Sequence, residues 1–231
     1  MLSWRPKLTD VADDYTGKVT VGGPMDVRRL PGLTIAKLAV GPMDNNAYLL
    51  RCTTSGEGLL IDAANEADWL RELVRFEGPP VSAILTTHQH PDHWQALPET
   101  AEDAGAAIFA GDADADELPI AVDERLEHGD TIDVGELTMQ IIGLRGHTPG
   151  SVAVLYRDPD GIPHLFTGDS LFPGGVGKTW SPEDFTSLID DVEARLFGEL
   201  PDETWFYPGH GNDSTLGVER PHLGEWRARG W

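Results

Sequence analysis

Three of the chain's eight histidines fall within six residues, in the run His88-Gln89-His90-Pro91-Asp92-His93, directly after the apolar segment 81–87. Imidazoles two residues apart on an extended segment lie on the same side, so His88 and His90 can chelate one ion. Asp92 and His93 fall where the chain turns into a helix-like segment, and they point to a neighbouring position that can bind a second ion. His147 and His210 stand in glycine-flanked loops, Gly146-His147-Thr148-Pro149-Gly150 and Pro208-Gly209-His210-Gly211. Asp169 follows another apolar run in Thr167-Gly168-Asp169-Ser170. Glycine beside each of these residues lets the backbone approach a shared centre closely. Four separate loops, each offering His or Asp, are what a metal cluster assembled from distant sequence requires. Clustered imidazoles beside a buried strand would be costly without a cation. With one cysteine, Cys52, the chain can form neither a disulfide nor a thiolate cluster, so a metal must be held by His and carboxylate. That donor set suits zinc, and iron or manganese could occupy it too.

Other chemistries fit poorly. There is no Gly-x-Ser-x-Gly elbow, and Cys52 lies on a strand-like run far from the His-rich loops. The stretch Gly174-Gly175-Val176-Gly177-Lys178-Thr179 does not have the G-x-x-x-x-G-K-[ST] spacing of a phosphate loop. His128, His164 and His222 are isolated, and each reads as an ordinary structural histidine.

Positioning such a cluster takes strands that end at one rim. Apolar, β-branched or aromatic runs recur at 33–40, 47–52, 59–61, 81–87, 106–109, 137–144, 152–156, 165–167 and 204–207, and these predict strands. Segments 66–77, 94–104 and 182–197 predict helices. In the last, Phe185, Leu188, Ile189, Val192 and Leu196 make one apolar face, preceded by Ser181 as cap and Pro182 at the first helical position. Hairpin-like strands early and strand–helix alternation later predict an α/β layered fold with a mixed sheet. No proline-rich linker, low-complexity tract or repeat divides residues 1–231, which are read as one domain. The first 30 or so residues and the last ten are polar and turn-rich, and are read as wrapping segments.

Charge narrows the partners. With 17 Lys+Arg against 39 Asp+Glu the formal net charge is −22, the opposite of what nucleic acid or an anionic membrane would attract. Nine of the acids and a single Arg125 lie between residues 112 and 133, which reads as a solvated face; the spacing there is not that of a calcium-binding loop. No run approaches the ~18 apolar residues of a membrane span, and the first seven residues have no charged-then-apolar leader pattern. A cytoplasmic protein acting on a small molecule is the expectation; nothing here fixes its oligomeric state.

In their order along the chain, Thr87-His88-Gln89-His90-Pro91-Asp92-His93, Gly146-His147-Thr148-Pro149-Gly150-Ser151, Phe166-Thr167-Gly168-Asp169 and Pro208-Gly209-His210-Gly211 resemble the metallo-β-lactamase superfamily. Within it the resemblance is nearest to the glyoxalase II (hydroxyacylglutathione hydrolase) branch, with further similarity at residues 44–48, 171–178 and 200–204. The resemblance implies a four-layer αβ/βα sandwich with two mixed sheets and an active site along their shared edge. It implies two divalent ions, zinc first among them, the first on His88, His90 and His147, the second on Asp92, His93 and His210, with Asp169 bridging. Asp92 would be the catalytic carboxylate that orients a metal-bridged hydroxide for attack on a thioester carbonyl. Lys178 and Trp180 would contact substrate, Trp180 standing where eukaryotic members have tyrosine. Only about 20 residues follow His210, whereas the glyoxalase II enzymes carry a C-terminal helical domain with glutathione contacts, so a shorter or different thiol is expected. The same motifs resemble an iron persulfide dioxygenase using His88, His147 and Asp169, and a lactone or phosphodiester hydrolase.

Overall fold

Two sheets carry the fold, and in both the apolar alternation divides each strand between two cores. The computed structural model describes residues 11, 12 and 14–230; the leader expectation at residues 1–7 lies outside them. The first sheet takes its eight strands in chain order: β1 (Val11–Ala12), β2 (Met25–Leu30), β3 (Leu33–Val40), β4 (Asn45–Cys52), β5 (Gly58–Ile61), β6 (Ala83–Thr86), β7 (Ala107–Gly111) and β8 (Glu124–Leu126). Its pairs β2 to β5 are antiparallel and β5 to β8 parallel. The second sheet contains β9 (Thr131–Val134), β10 (Leu137–Gly143), β11 (Val152–Arg157) and β12 (Pro163–Gly168), and a small hairpin, β13 (Leu171–Phe172) with β14 (Gly175–Val176), follows β12. Beyond it, β15 (Trp205–Pro208) pairs parallel with β12, and β16 (Ser214–Thr215) closes the edge.

Along β3 and β4, Ala36, Leu38, Ala47 and Leu49 face outward beneath helices α1 (Ala67–Leu73) and α2 (Leu97–Ala104). Their alternates Leu33, Ile35, Tyr48 and Leu50 face inward to meet Met139, Ile141, Val154 and Phe166 of the second sheet. The far face of that sheet, Ile142, Leu155 and Leu165, packs on α3 (Pro182–Asp191) through Phe185, Leu188 and Ile189. The layers are therefore helix, sheet, sheet, helix, the four-layer αβ/βα sandwich with two mixed sheets. Each fully buried leucine or isoleucine stabilises this arrangement by about 1.5–3 kcal/mol. No helix among the described residues is long and apolar enough to cross a membrane.

All nine expected strands and three expected helices are present, with shifted ends. The third helix differs: the α-helix stops at Asp191 and residues Val192–Phe197 continue as a π-helix, closed by the Gly198 N–H donating to the Glu193 carbonyl. The ends of the chain also differ from expectation. β2 escaped notice because Asp26 is buried in it, accepting from the N–H groups of Thr16 and Gly17. Near the other end, α4 (Leu216–Glu219) and α5 (Leu223–Arg229) are helices, not wrapping coil. They are docked by Leu216 and Trp226, and two large apolar anchors in a polar run leave little periodicity to read. β8 and β9 lie inside the acidic stretch, where Leu126, Ile132 and Val134 turn inward between exposed acids.

Candidate metal centre

The loops that follow β5, β6, β10, β12 and β15 meet at one edge of the sandwich. Backbone hydrogen bonds stitch the strand ends together there: the Val152 N–H donates to the Thr87 carbonyl, Gly209 to Gly168, and Asn46 to Gly209. At this edge His88, His90 and His147 form one group of possible ligands and Asp92, His93 and His210 another, the donor atoms of each group lying within 4.8 Å of one another. His88, His93 and Asp169 form a third group that connects them. Asp169 Oδ2 is 3.7 Å from His147 Nε2 and 3.4 Å from His210 Nε2, so its carboxylate faces both histidine sets. Gly209 makes this approach possible, since a Cβ there would lie 2.2 Å from Asp169 Oδ1.

Four ring orientations are fixed by acceptors on the nitrogen that faces away from the centre. His147 Nδ1–H donates to the Lys178 carbonyl (2.7 Å), His210 Nδ1–H to the Met43 carbonyl (2.9 Å) and His93 Nδ1–H to Asp62 Oδ2 (2.8 Å). His88 Nδ1–H donates to Thr87 Oγ1, whose hydroxyl donates in turn to Asp62 Oδ2. These partners assign the tautomers and leave Nε2 of each neutral ring with a lone pair. The lone pairs then face one another: His88 Nε2 and His147 Nε2 are 3.3 Å apart, His93 Nε2 and His210 Nε2 3.2 Å. Asp169 Oδ1 is buried and accepts no hydrogen bond. Lone pair against lone pair beside an unpartnered carboxylate oxygen is unfavourable, and a cation between them removes the conflict. The residues therefore fit the divalent ions that the donor chemistry suggests.

The electrostatics agree. Burial, followed by the neighbouring His93, pushes His88 well below the usual imidazole range. Burial also disfavours charge on His93 and His210, but carboxylates outweigh it: Asp169 and Asp62 raise His93, and Asp169 and Asp92 raise His210 to about 9. Asp92 and Asp169 are held low by these histidines despite burial. Two imidazolium rings 3.2 Å apart would repel, so the carboxylate field calls for positive charge that protons supply poorly.

Residues 40–210 match the family model described as the metallo-beta-lactamase superfamily. The chain belongs to that superfamily. A hydroxyacylglutathione hydrolase of Fuscovulum blasticum is 36% identical over 72% of this chain and 62% of its own length. Relatives of this kind are thus matched over less than two thirds of their length. Among solved structures, ETHE1 from Myxococcus xanthus superposes with a TM-score of 0.72 at 26% identity, covering 84% of each chain. TTHA1623 in a di-iron-bound form is 33% identical with a TM-score of 0.66, over 80% of this chain and 96% of that one.

All seven residues expected as ligands converge in this superfamily member. Lys178 and Trp180 sit beside them: the exposed indole of Trp180 lies 6.5 Å from the His90 ring, and the Lys178 ammonium stands 4.2 Å over that indole. A cleft of about 430 Å³ opens there, lined among others by His90, Arg145, His147, Thr148, Trp180 and Asp184. His164 is buried against the Tyr207 hydroxyl, and His128 and His222 are exposed away from the centre. Sequence reasoning overlooked Asp62, Asn45 and Thr87. Asp62 ends β5 as Asp169 ends β12, a strand-end acid that could have been noticed; its left-handed φ of 59° is strain carried by a non-glycine residue to aim both oxygens. Asn45 Nδ2 donates to Asp92 Oδ2 at 2.8 Å; the resemblance at residues 44–48 marked its segment but gave Asn45 no role.

Proposed function

We propose that this chain is a metal-dependent hydrolase of thioesters of small anionic thiols, of glyoxalase II type, with two divalent ions, zinc first among the candidates. The observation that carries the reading is that both donor sets are complete and Asp169 faces both. His88, His90 and His147 would hold one ion and Asp92, His93 and His210 the other, with Asp169 between them. When bound, such a pair supplies an activated water and a sink for the negative charge that develops on a thioester carbonyl oxygen.

This chain's own residues do the remaining work. Asp62 fixes the His93 ring and, through Thr87, the His88 ring, so neither can turn away from the centre. Asp92, anchored by Asn45, orients the attacking water. Lys178 and Trp180 receive the thiol portion at the cleft mouth, the ammonium answering an anionic group and the indole an apolar one. No protein nucleophile is needed. A net charge of −22 opposes nucleic acid and anionic membranes as partners.

The test is metal analysis beside a substrate panel of thioesters, lactones, phosphodiesters and a glutathione persulfide. Two ions per chain with fastest turnover of a thioester supports the reading. One iron per chain with oxygen uptake on the persulfide overturns it in favour of a dioxygenase.

A further inference from the structure

Of the nine acids between residues 112 and 133, eight are exposed and Asp114 alone is buried. It sits in the short turn after β7, and its carboxylate accepts three hydrogen bonds. The Gln89 N–H donates at 2.9 Å to Oδ2, Thr148 Oγ1 at 2.5 Å to the same oxygen, and the Gly150 N–H at 2.7 Å to Oδ1. Gln89 lies between His88 and His90, and Thr148 follows His147. One carboxylate thus connects the two loops that carry His88, His90 and His147. The packing is close enough to require glycine at 150, where a Cβ would lie 2.4 Å from the Asp114 nitrogen.

The charge of Asp114 has no ion-pair partner among the described residues, and an uncompensated buried carboxylate is costly. The donor set it clamps is itself uncharged, three imidazoles, whereas the other set contains Asp92. We infer that Asp114 is a positioning residue for the three-histidine set, holding its two loops in register and adding, from outside the ligand sphere, negative charge to a set whose one neighbouring carboxylate, Asp169, is shared with the other set. The inference rests on reading His88, His90 and His147 as a cation site. Carboxylates that orient metal ligands from behind change affinity by about 10–100-fold, and Asp114 acts on two ligand loops at once.

The test uses Co²⁺ titration of the metal-free full-length chain followed by visible absorption. Of the two proposed ion sites, His210→Ala leaves the three-histidine set intact and His90→Ala the Asp92 set, while the connecting group of His88, His93 and Asp169 is common to both variants. Asp114→Asn, which preserves shape, is added to each. The expected result is an affinity about 10–100-fold weaker in the His210→Ala background, with an altered Co²⁺ spectrum, and a change under threefold in the His90→Ala background. Equal weakening in both backgrounds, or none in either, overturns the inference, as does a loss fully accounted for by lower thermal stability of the metal-free Asp114→Asn protein. If the His210→Ala protein binds no Co²⁺ while the His90→Ala protein does, the reading of the three-histidine site itself fails, which is a different result.

Discussion

Two buried polar clusters meet at the loop after β15 and differ in one respect. Around Lys37 the cluster is closed: its ammonium donates to the carbonyls of Gly17 and Gly211 and to Asp213 Oδ1, one acceptor for each proton. Asp213 also accepts from the Tyr15 hydroxyl and from Trp205 Nε1. Burial pushes Lys37 down and Asp213 up, but the pair contains its own counter-charge. Around His93 and His210 the cluster is open, with lone pairs facing lone pairs and an unpartnered oxygen on Asp169. One residue separates Gly211, clamped by Lys37, from Asp213, and His210 adjoins Gly211, so the closed cluster holds the loop that serves the open one. Satisfied polarity makes scaffold; convergent unsatisfied polarity makes a site.

Breaking the closed cluster should cost the most in stability. Lys37→Met strands Asp213 as a buried, unpaired carboxylate, and chemical denaturation should show a loss of about 3–5 kcal/mol, largely recovered when Asp213→Leu is added. Breaking the open cluster should instead cost function. His88→Ala removes a donor common to two of the ligand groups and should lower kcat/KM by about 10³-fold, near 4 kcal/mol of transition-state stabilisation, in steady-state assays.

A third prediction concerns His164, the buried histidine on the closed side, where Arg28 donates to the Tyr207 hydroxyl that contacts the imidazole. Burial, with Arg28 adding to it, lowers His164 from 6.5 to about 4. Because the folded pKa is depressed, the unfolded chain takes up a proton first as pH falls. The group is neutral to stability above pH 6.5 and destabilises progressively below it, by about 3 kcal/mol near pH 4. Denaturation of His164→Leu across this range should show a shallower acid limb than the parent chain; an unchanged difference at every pH would contradict it. The smallest effect is expected from Asp62→Asn, which loosens His93 and His88 without removing a ligand. Chelator competition should report an affinity about 10–100-fold weaker, with the metal-free fold retained.

Much of this contrast was legible before any coordinates. The open cluster announced itself because ligands cannot be hidden: His88, His90 and His93 are adjacent in the chain, and His147, Asp169 and His210 sit beside glycines after strands. The nine main strands were legible because alternation serves two cores at once. What stayed hidden was polarity used as structure. Lys37 and Arg51 lie buried within strands, where their charge reads as exposure. Asp114 is indistinguishable in sequence from eight solvated neighbours, whereas Asp62 follows its apolar run as Asp169 does and could have been noticed. The π-helix at Val192–Phe197 keeps the apolar face of an α-helix, so periodicity could not reveal it.

The central claim, a centre built for two ions, is tested most directly by metal content. The full-length chain, saturated with Zn²⁺, desalted and measured by inductively coupled plasma mass spectrometry, should carry two ions, and its His210→Ala variant one. A single ion in the parent chain, or two retained after His210→Ala, would contradict the account.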